Sequence, residues 1–113
     1  MLSLADEGYD VWMGNNRGTR YSNVNPRYPF ADVVDSPLYD EQNFDKYNFS
    51  WKEFGQYDVP AQLDKITEVN GNNKVTYVGY SQGSTQMLYG IATEEDYFAE
   101  KLNKIIFLAP CLY

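Results

Sequence analysis

The chain has 113 residues, 43% hydrophobic and 17% aromatic, which is enough to build the core of one domain and too apolar for a disordered tail. A net charge of -7 and a pI near 4.4 give no basic field, which argues against nucleic acid and anionic membrane surfaces as partners; the acidity reads as a solvated surface. With a single cysteine and no histidine the chain forms no internal disulfide, and no ordinary zinc site or other cofactor is expected.

The opening residues Leu2-Ser3-Leu4-Ala5-Asp6-Glu7 look like the tail of a helix that ends at Gly8. They show no charged stretch followed by an apolar run, so no signal peptide is expected. Gly8-Tyr9-Asp10-Val11-Trp12-Met13-Gly14 follows as a short β-prone run bounded by glycines. From Asn15 to about Asn48 the composition turns to Asn, Pro, Arg, Tyr and Asp without periodicity, which predicts a long surface excursion with at most short helical pieces. Helical spacing returns from Trp51 to Val69, with Phe54, Tyr57, Ala61 and Ile66 along one face, Ser50 as N-cap and Gly71 just beyond the end. Pro60 is expected to kink or split that helix.

Lys74 to Gly79 reads as a second strand, Ser81 to Ile91 as a helix, and Glu94 to Asn103 as partly helical. Lys104 to Pro110 is a nearly continuous apolar strand of the kind buried on both faces of a parallel sheet, and Cys111 beyond it reads as a buried, inert thiol. Its apolar core, Ile105 to Pro110, is far shorter than the run of about 20 residues that spans a bilayer. Strand, loop, helix, strand, helix, strand implies α/β layering with right-handed crossovers.

Gly79-Tyr80-Ser81-Gln82-Gly83 matches G-x-S-x-G directly after a predicted strand and at the start of a predicted helix, the setting of a nucleophile elbow. There the serine sits at the apex of a strained turn with its Oγ clear of the sheet. Gly79 and Gly83 would remove Cβ atoms where strand and helix pass closest, and the Gln82 N–H at the helix start would face a developing oxyanion. On these residues alone the alternative is an ordinary glycine-bounded turn in which Ser81 caps the helix.

The blocks Leu4-Ala5-Asp6-Glu7-Gly8-Tyr9-Asp10-Val11-Trp12-Met13-Gly14-Asn15-Asn16-Arg17-Gly18, Phe49-Ser50-Trp51, Tyr57-Asp58-Val59-Pro60-Ala61, Tyr77 to Gly83 and Leu108-Ala109-Pro110 resemble successive blocks of the acid lipases, the gastric and lysosomal lipase family. They occur in the family's order and near its spacing, over almost the whole chain. The resemblance implies a partial α/β-hydrolase domain over residues 1–113, with three strands of a mostly parallel sheet and flanking helices. It further implies a serine esterase acting on triacylglycerols or cholesteryl esters, with Ser81 as the nucleophile that forms an acyl-enzyme and the Gln82 backbone N–H as one half of the oxyanion hole. Tyr80 departs from the family's usual histidine at the variable position of the elbow, which carries no catalytic duty. Arg17 and Asp58 match family blocks and are assigned to structural hydrogen bonding or ion pairing.

The resemblance also shows what to expect outside this segment. The triad acid and histidine follow the serine in chain order and are expected after Tyr113, while the other oxyanion donor belongs to a His-Gly motif before Met1. Glu94, Glu95, Asp96 and Glu100 precede the next strand, too early to be the acid, and read as a solvated helix face. The three strands would be the fourth, fifth and sixth of the full sheet, with the third normally between the fourth and fifth, so complementary segments of the full-length hydrolase are expected partners alongside a lipid ester. Two readings of the chain as a product follow: a piece of an active lipase, or a short product that binds lipid or a partner without hydrolysis. The family implies a secreted or lysosomal protein, and the sequon Asn48-Phe49-Ser50 is compatible with that route.

Overall fold

The computed structural model describes residues 2–22 and 48–111, so most of the polar excursion expected between Asn15 and Asn48 lies outside the described residues. Helix α1 (Leu2–Asp6) is the predicted helix tail. It stops because Gly8 takes φ +87°, a conformation that closes a helix at little cost without a Cβ. The Gly8 and Tyr9 N–H groups donate back to the Ala5 and Leu4 carbonyls at 3.0 and 3.1 Å.

The β-prone run from Gly8 to Gly14 forms no strand. Its residues suit a pleated surface, but a strand exists only where a ladder partner supplies backbone hydrogen bonds, and among the described residues the sheet has two strands rather than the three expected. Tyr9 and Met13 accordingly stand 66% and 71% exposed.

Residues 51–69 form one helical stretch: α2 (Trp51–Glu53), a π-turn over Phe54–Asp58, and α3 (Val59–Val69). Ser50 begins it through a capping box in which its Oγ accepts from the Lys52 N–H at 3.3 Å while the Glu53 carboxylate accepts from the Ser50 N–H at 2.6 Å. The Ser50 hydroxyl and N–H together hold the Glu53 carboxyl below the usual range. Pro60, expected to kink or split the helix, is instead accommodated within a continuous helical stretch by the π-turn before it. It has no N–H for the Gln56 carbonyl, and the widened turn just before it lets the Val59 N–H reach the Phe54 carbonyl instead.

That extra residue in the turn changes which side faces inward. The buried positions are Phe54, Gly55, Val59, Leu63 and Thr67, whereas Tyr57 and Ala61, predicted on the inner face, are exposed. Only Phe54 of the predicted face is fully buried, with Ile66 partly so.

Strand β1 (Val75–Tyr80), helices α4 (Gln82–Thr93) and α5 (Glu95–Lys101), and strand β2 (Leu102–Leu108) complete the order. β1 and β2 pair in parallel, Val75 with Leu102 and then, past an irregularity, Thr76 with Lys104 through Tyr80 with Leu108. The two helices supply the crossover that parallel pairing requires, which makes this a partial α/β fold as predicted.

Val59, Leu63, Met87, Phe98 and Leu102 form the core, with Val75, Tyr77, Ile91, Tyr97, Ile105 and Phe107 packed against it. The helices approach closely at Gly55 and Gly90: a Cβ on Gly90 would lie 2.9 Å from the Gly55 carbonyl oxygen. All of this lies on one face of the sheet. The other face presents Val78, Tyr80, Ile106 and Leu108 at 39–71% exposure, so β2 is not buried on both faces as its composition predicts. No helix among the described residues is long and apolar enough to cross a membrane.

Candidate active site

The turn between β1 and α4 places Ser81 at φ +51° and ψ -114°, angles that an L-residue rarely adopts. Its N–H continues the parallel ladder by one bond, donating to the Leu108 carbonyl at 3.0 Å. Its own carbonyl starts the helix, accepting from the Ser84 N–H at 2.9 Å and the Thr85 N–H at 3.4 Å. The side chain makes no capping bond to α4, which removes the alternative of an ordinary N-capping serine. Ser81 is partly exposed, and its Oγ lies 3.4 Å from the Cys111 Sγ. Cys111 is half-buried beside that hydroxyl, with its carbonyl accepting from Thr85 Oγ1 at 2.6 Å, and so is not the buried strand-end thiol predicted.

Gln82 is the first residue of α4, so its N–H is among those a helix leaves without an internal acceptor. Gly79 is required by sterics: a Cβ there would fall 2.8 Å from the Gly83 carbonyl group and 2.9 Å from the Ser84 nitrogen. Gly83 differs from the expectation, since a Cβ on it would meet only the Tyr77 hydroxyl at an ordinary 3.7 Å. Glu94, Glu95, Asp96 and Glu100 are all exposed, the solvated face that the sequence implies.

Behind the turn lies a line of polar side chains that sequence reasoning missed. Tyr77 donates its hydroxyl to the Gly83 carbonyl at 2.9 Å and accepts from Gln86 Nε2 at 3.2 Å. Gln86 Oε1 accepts from Asn16 Nδ2 at 2.7 Å, and Asn16 Oδ1 from Gln62 Nε2 at 3.4 Å. Burial pushes the Tyr77 phenol above its ordinary pKa, with the Gln86 bond acting in the opposite direction. The available signal was Gln86 itself, a polar residue on the inward side of a helix and only 5% exposed.

Next to Asn16, Arg17 and Asp58, each assigned from the sequence to structural hydrogen bonding or ion pairing, pair with one another. Asp58 accepts from the Arg17 backbone N–H at 2.8 Å and from Nε at 2.7 Å, and Nη2 lies 2.6 Å from the same carboxylate oxygen. The guanidinium also sits 5.6 Å from the Tyr57 ring centre. Asn16 and Arg17 are thereby fastened to the helices behind the elbow although neither is in a strand.

A strained serine between a parallel strand and a helix, with a glycine two residues before it that sterics require, is the local geometry of a hydrolase elbow, and a family profile described as alpha/beta hydrolase fold matches residues 1–113. The chain belongs to the α/β-hydrolase fold family. Among curated proteins it is 37% identical over 112 residues to a probable lipase of Schizosaccharomyces pombe, covering 99% of this chain and 21% of that protein. It is 36% identical over 107 residues to the lipase lipl-3 of Caenorhabditis elegans, and 40% over 107 residues to the gastric triacylglycerol lipase of Mus musculus. Those two matches each cover 95% of this chain and 24% of the relative. The likeness to gastric-type lipases read from the sequence blocks is thus borne out, for a hydrolase segment spanning 21–24% of the length of these relatives. No solved structure matches the chain.

Proposed function

We propose that residues 1–113 carry the nucleophile segment of a serine ester hydrolase acting on lipid esters such as triacylglycerols or cholesteryl esters. The observation that carries this reading is Ser81 at φ +51°, its hydroxyl not used as a helix cap. In the proposed reaction the Ser81 Oγ attacks the ester carbonyl, its proton passes to a base, and the tetrahedral oxyanion is held by the Gln82 N–H and a second donor. The alcohol leaves, and water hydrolyses the acyl-serine. A serine hydroxyl is a poor nucleophile without a base, and these 113 residues contain no histidine, so on this reading the histidine base comes from complementary hydrolase segments, where the family's chain order also places its acid partner. The 113-residue chain alone is therefore expected to show no serine-dependent ester turnover.

The second reading, a short product that binds lipid or a protein without hydrolysis, draws on the exposed sheet face of Val78, Tyr80, Ile106 and Leu108. The deciding experiment is to sequence the native transcript through both ends of the segment and treat the natural product with an alkyl phosphonate. Covalent labelling at Ser81, located by mass spectrometry and lost in Ser81→Ala, is the expected result. An unlabelled Ser81 in a product that contains an ordered Asp and His would remove it from the nucleophile's role. Authentic start and stop codons at the present ends would favour the binding module.

A further inference from the structure

We propose that Tyr77, held by Gln86 and Asn16, is a positioning residue that sets the first turn of α4 and with it the oxyanion donor and the nucleophile; this rests on the esterase reading of Ser81 above. The hydrogen bonds form a line with one direction: Gln62 donates to Asn16, Asn16 to Gln86, Gln86 to Tyr77, and Tyr77 to the Gly83 carbonyl. Asn16 and Gln86 have both amide ends engaged, and the phenol accepts one bond and donates the next, so none of these three turns without breaking a neighbour's bond.

The line ends where positioning has an effect. A helix carbonyl at Gly83 has a helical N–H as its ordinary partner, so the phenol is an additional bond to the second residue of α4. On the other side of Ser81, the Ser84 Oγ donates to the Gly79 carbonyl at 2.9 Å. The two bonds tie the helix start to β1 across the strained residue, one from Tyr77 on the strand to Gly83 and one from Ser84 on the helix to Gly79. Between these anchors lie Ser81 and Gln82, whose Oγ and N–H must meet the carbonyl carbon and oxygen of an ester with errors well below an ångström. Tyr77 touches no reacting atom in this scheme; it acts through the turn.

The turn reports on itself, because its closure is the pair of bonds from the Ser84 and Thr85 N–H groups to the Ser81 carbonyl. In the 113-residue chain, Tyr77→Phe keeps the ring and removes one hydroxyl. Amide exchange at Ser84 and Thr85, followed by NMR, is expected to accelerate about tenfold. The Asn70 amide bonded to Ile66 and the Phe98 amide bonded to Glu94 serve as references and are expected to be unchanged. Asn16→Ala removes the partner of Gln86 from the partly exposed end of the line and is expected to give a smaller change at the same two amides. Unchanged exchange at Ser84 and Thr85, a uniform rise at all four amides, or loss of the fold in Tyr77→Phe would overturn the proposal. In the natural product carrying this segment, Tyr77→Phe is expected to lower kcat about tenfold with KM unchanged. A KM effect with kcat intact would count against positioning. Turnover retained in Ser81→Ala would refute the esterase reading while leaving the exchange result to stand separately.

Discussion

Replacing Ser81 by glycine should stabilise the chain while removing its hydroxyl. The serine holds φ +51° and ψ -114°, close to the first central position of a type II′ turn, where glycine dominates. Such a conformation costs an L-residue about 1–3 kcal/mol. Glycine loses about 0.4–1 kcal/mol through the greater freedom of the unfolded chain, and the Oγ contact to Cys111, at 3.4 Å, contributes little. The net expectation is about 1 kcal/mol of added stability, which for a domain of this size raises Tm by roughly 4 °C. Ser81→Ala keeps the Cβ and the strain, and should lie within about 0.5 kcal/mol of the parent chain. Urea denaturation followed by the fluorescence of Trp12 and Trp51 measures both variants against the parent. A glycine variant no more stable than the alanine variant would show that the turn is not strained at Ser81, and would withdraw the main support for reading it as a nucleophile.

Three further perturbations follow from the geometry. Gly79→Ala should cost about 2 kcal/mol or more, because its Cβ would meet Gly83 backbone at 2.8 Å, while Gly83→Ala, with only the Tyr77 hydroxyl at 3.7 Å, should change stability by less than about 1 kcal/mol; the two urea midpoints decide it. Asp58→Asn removes the charge that accepts three contacts from Arg17 on a side chain only 9% exposed, and should destabilise by about 2–3 kcal/mol in the same assay, with little further loss when Arg17→Ala is added. Burial, the Asp64 hydrogen bond and the Asp64 charge raise the Tyr97 pKa above its ordinary 10.0, so its stabilising contribution is complete below pH 10 and declines as pH rises beyond it. Tyr97→Phe should therefore be less stable at pH 7, through loss of bonds to Pro60 and Asp64, but should flatten the alkaline limb of a Tm-against-pH curve, leaving the part due to Tyr77. The acid limb should shrink as well. The Lys101 bond, followed by that from Tyr97, holds the Asp64 carboxyl below its ordinary 3.8, and that contribution disappears as pH falls below it.

The parts legible in the sequence are those whose causes are local. β1, the turn at Ser81 and α4 follow from a β-prone run, two glycines and a helical spacing within residues 75–93, and Ser50 announces its helix by side-chain chemistry within one turn. The misreadings arise where the cause is distant. The Gly8 to Gly14 run has strand composition and no ladder, and the nearly continuous apolar run of β2 implies a covering layer on a face that stays exposed. The inward face of the helix around Pro60 was misjudged because one π-turn shifts its phase, an effect that a regular period does not anticipate. Tyr77, Gln86 and Asn16 were missed because their partners lie nine and seventy residues apart.

The bonds that shape the elbow and the group that would activate it have different origins in the chain. Ser81 is held by Leu108, Ser84 and Thr85, and the turn around it by Tyr77 and, through Gln86, by Asn16. All of these lie within the described residues, so the strain at Ser81 is offset by contacts that do not depend on a catalytic base. In the proposed reaction a base would accept its proton from a hydroxyl that these bonds have already placed. Ser81 keeps φ +51° and leaves its hydroxyl off the helix through bonds made by the strand, the turn and the helix, which locates the cost of preorganisation in the strand-turn-helix unit itself.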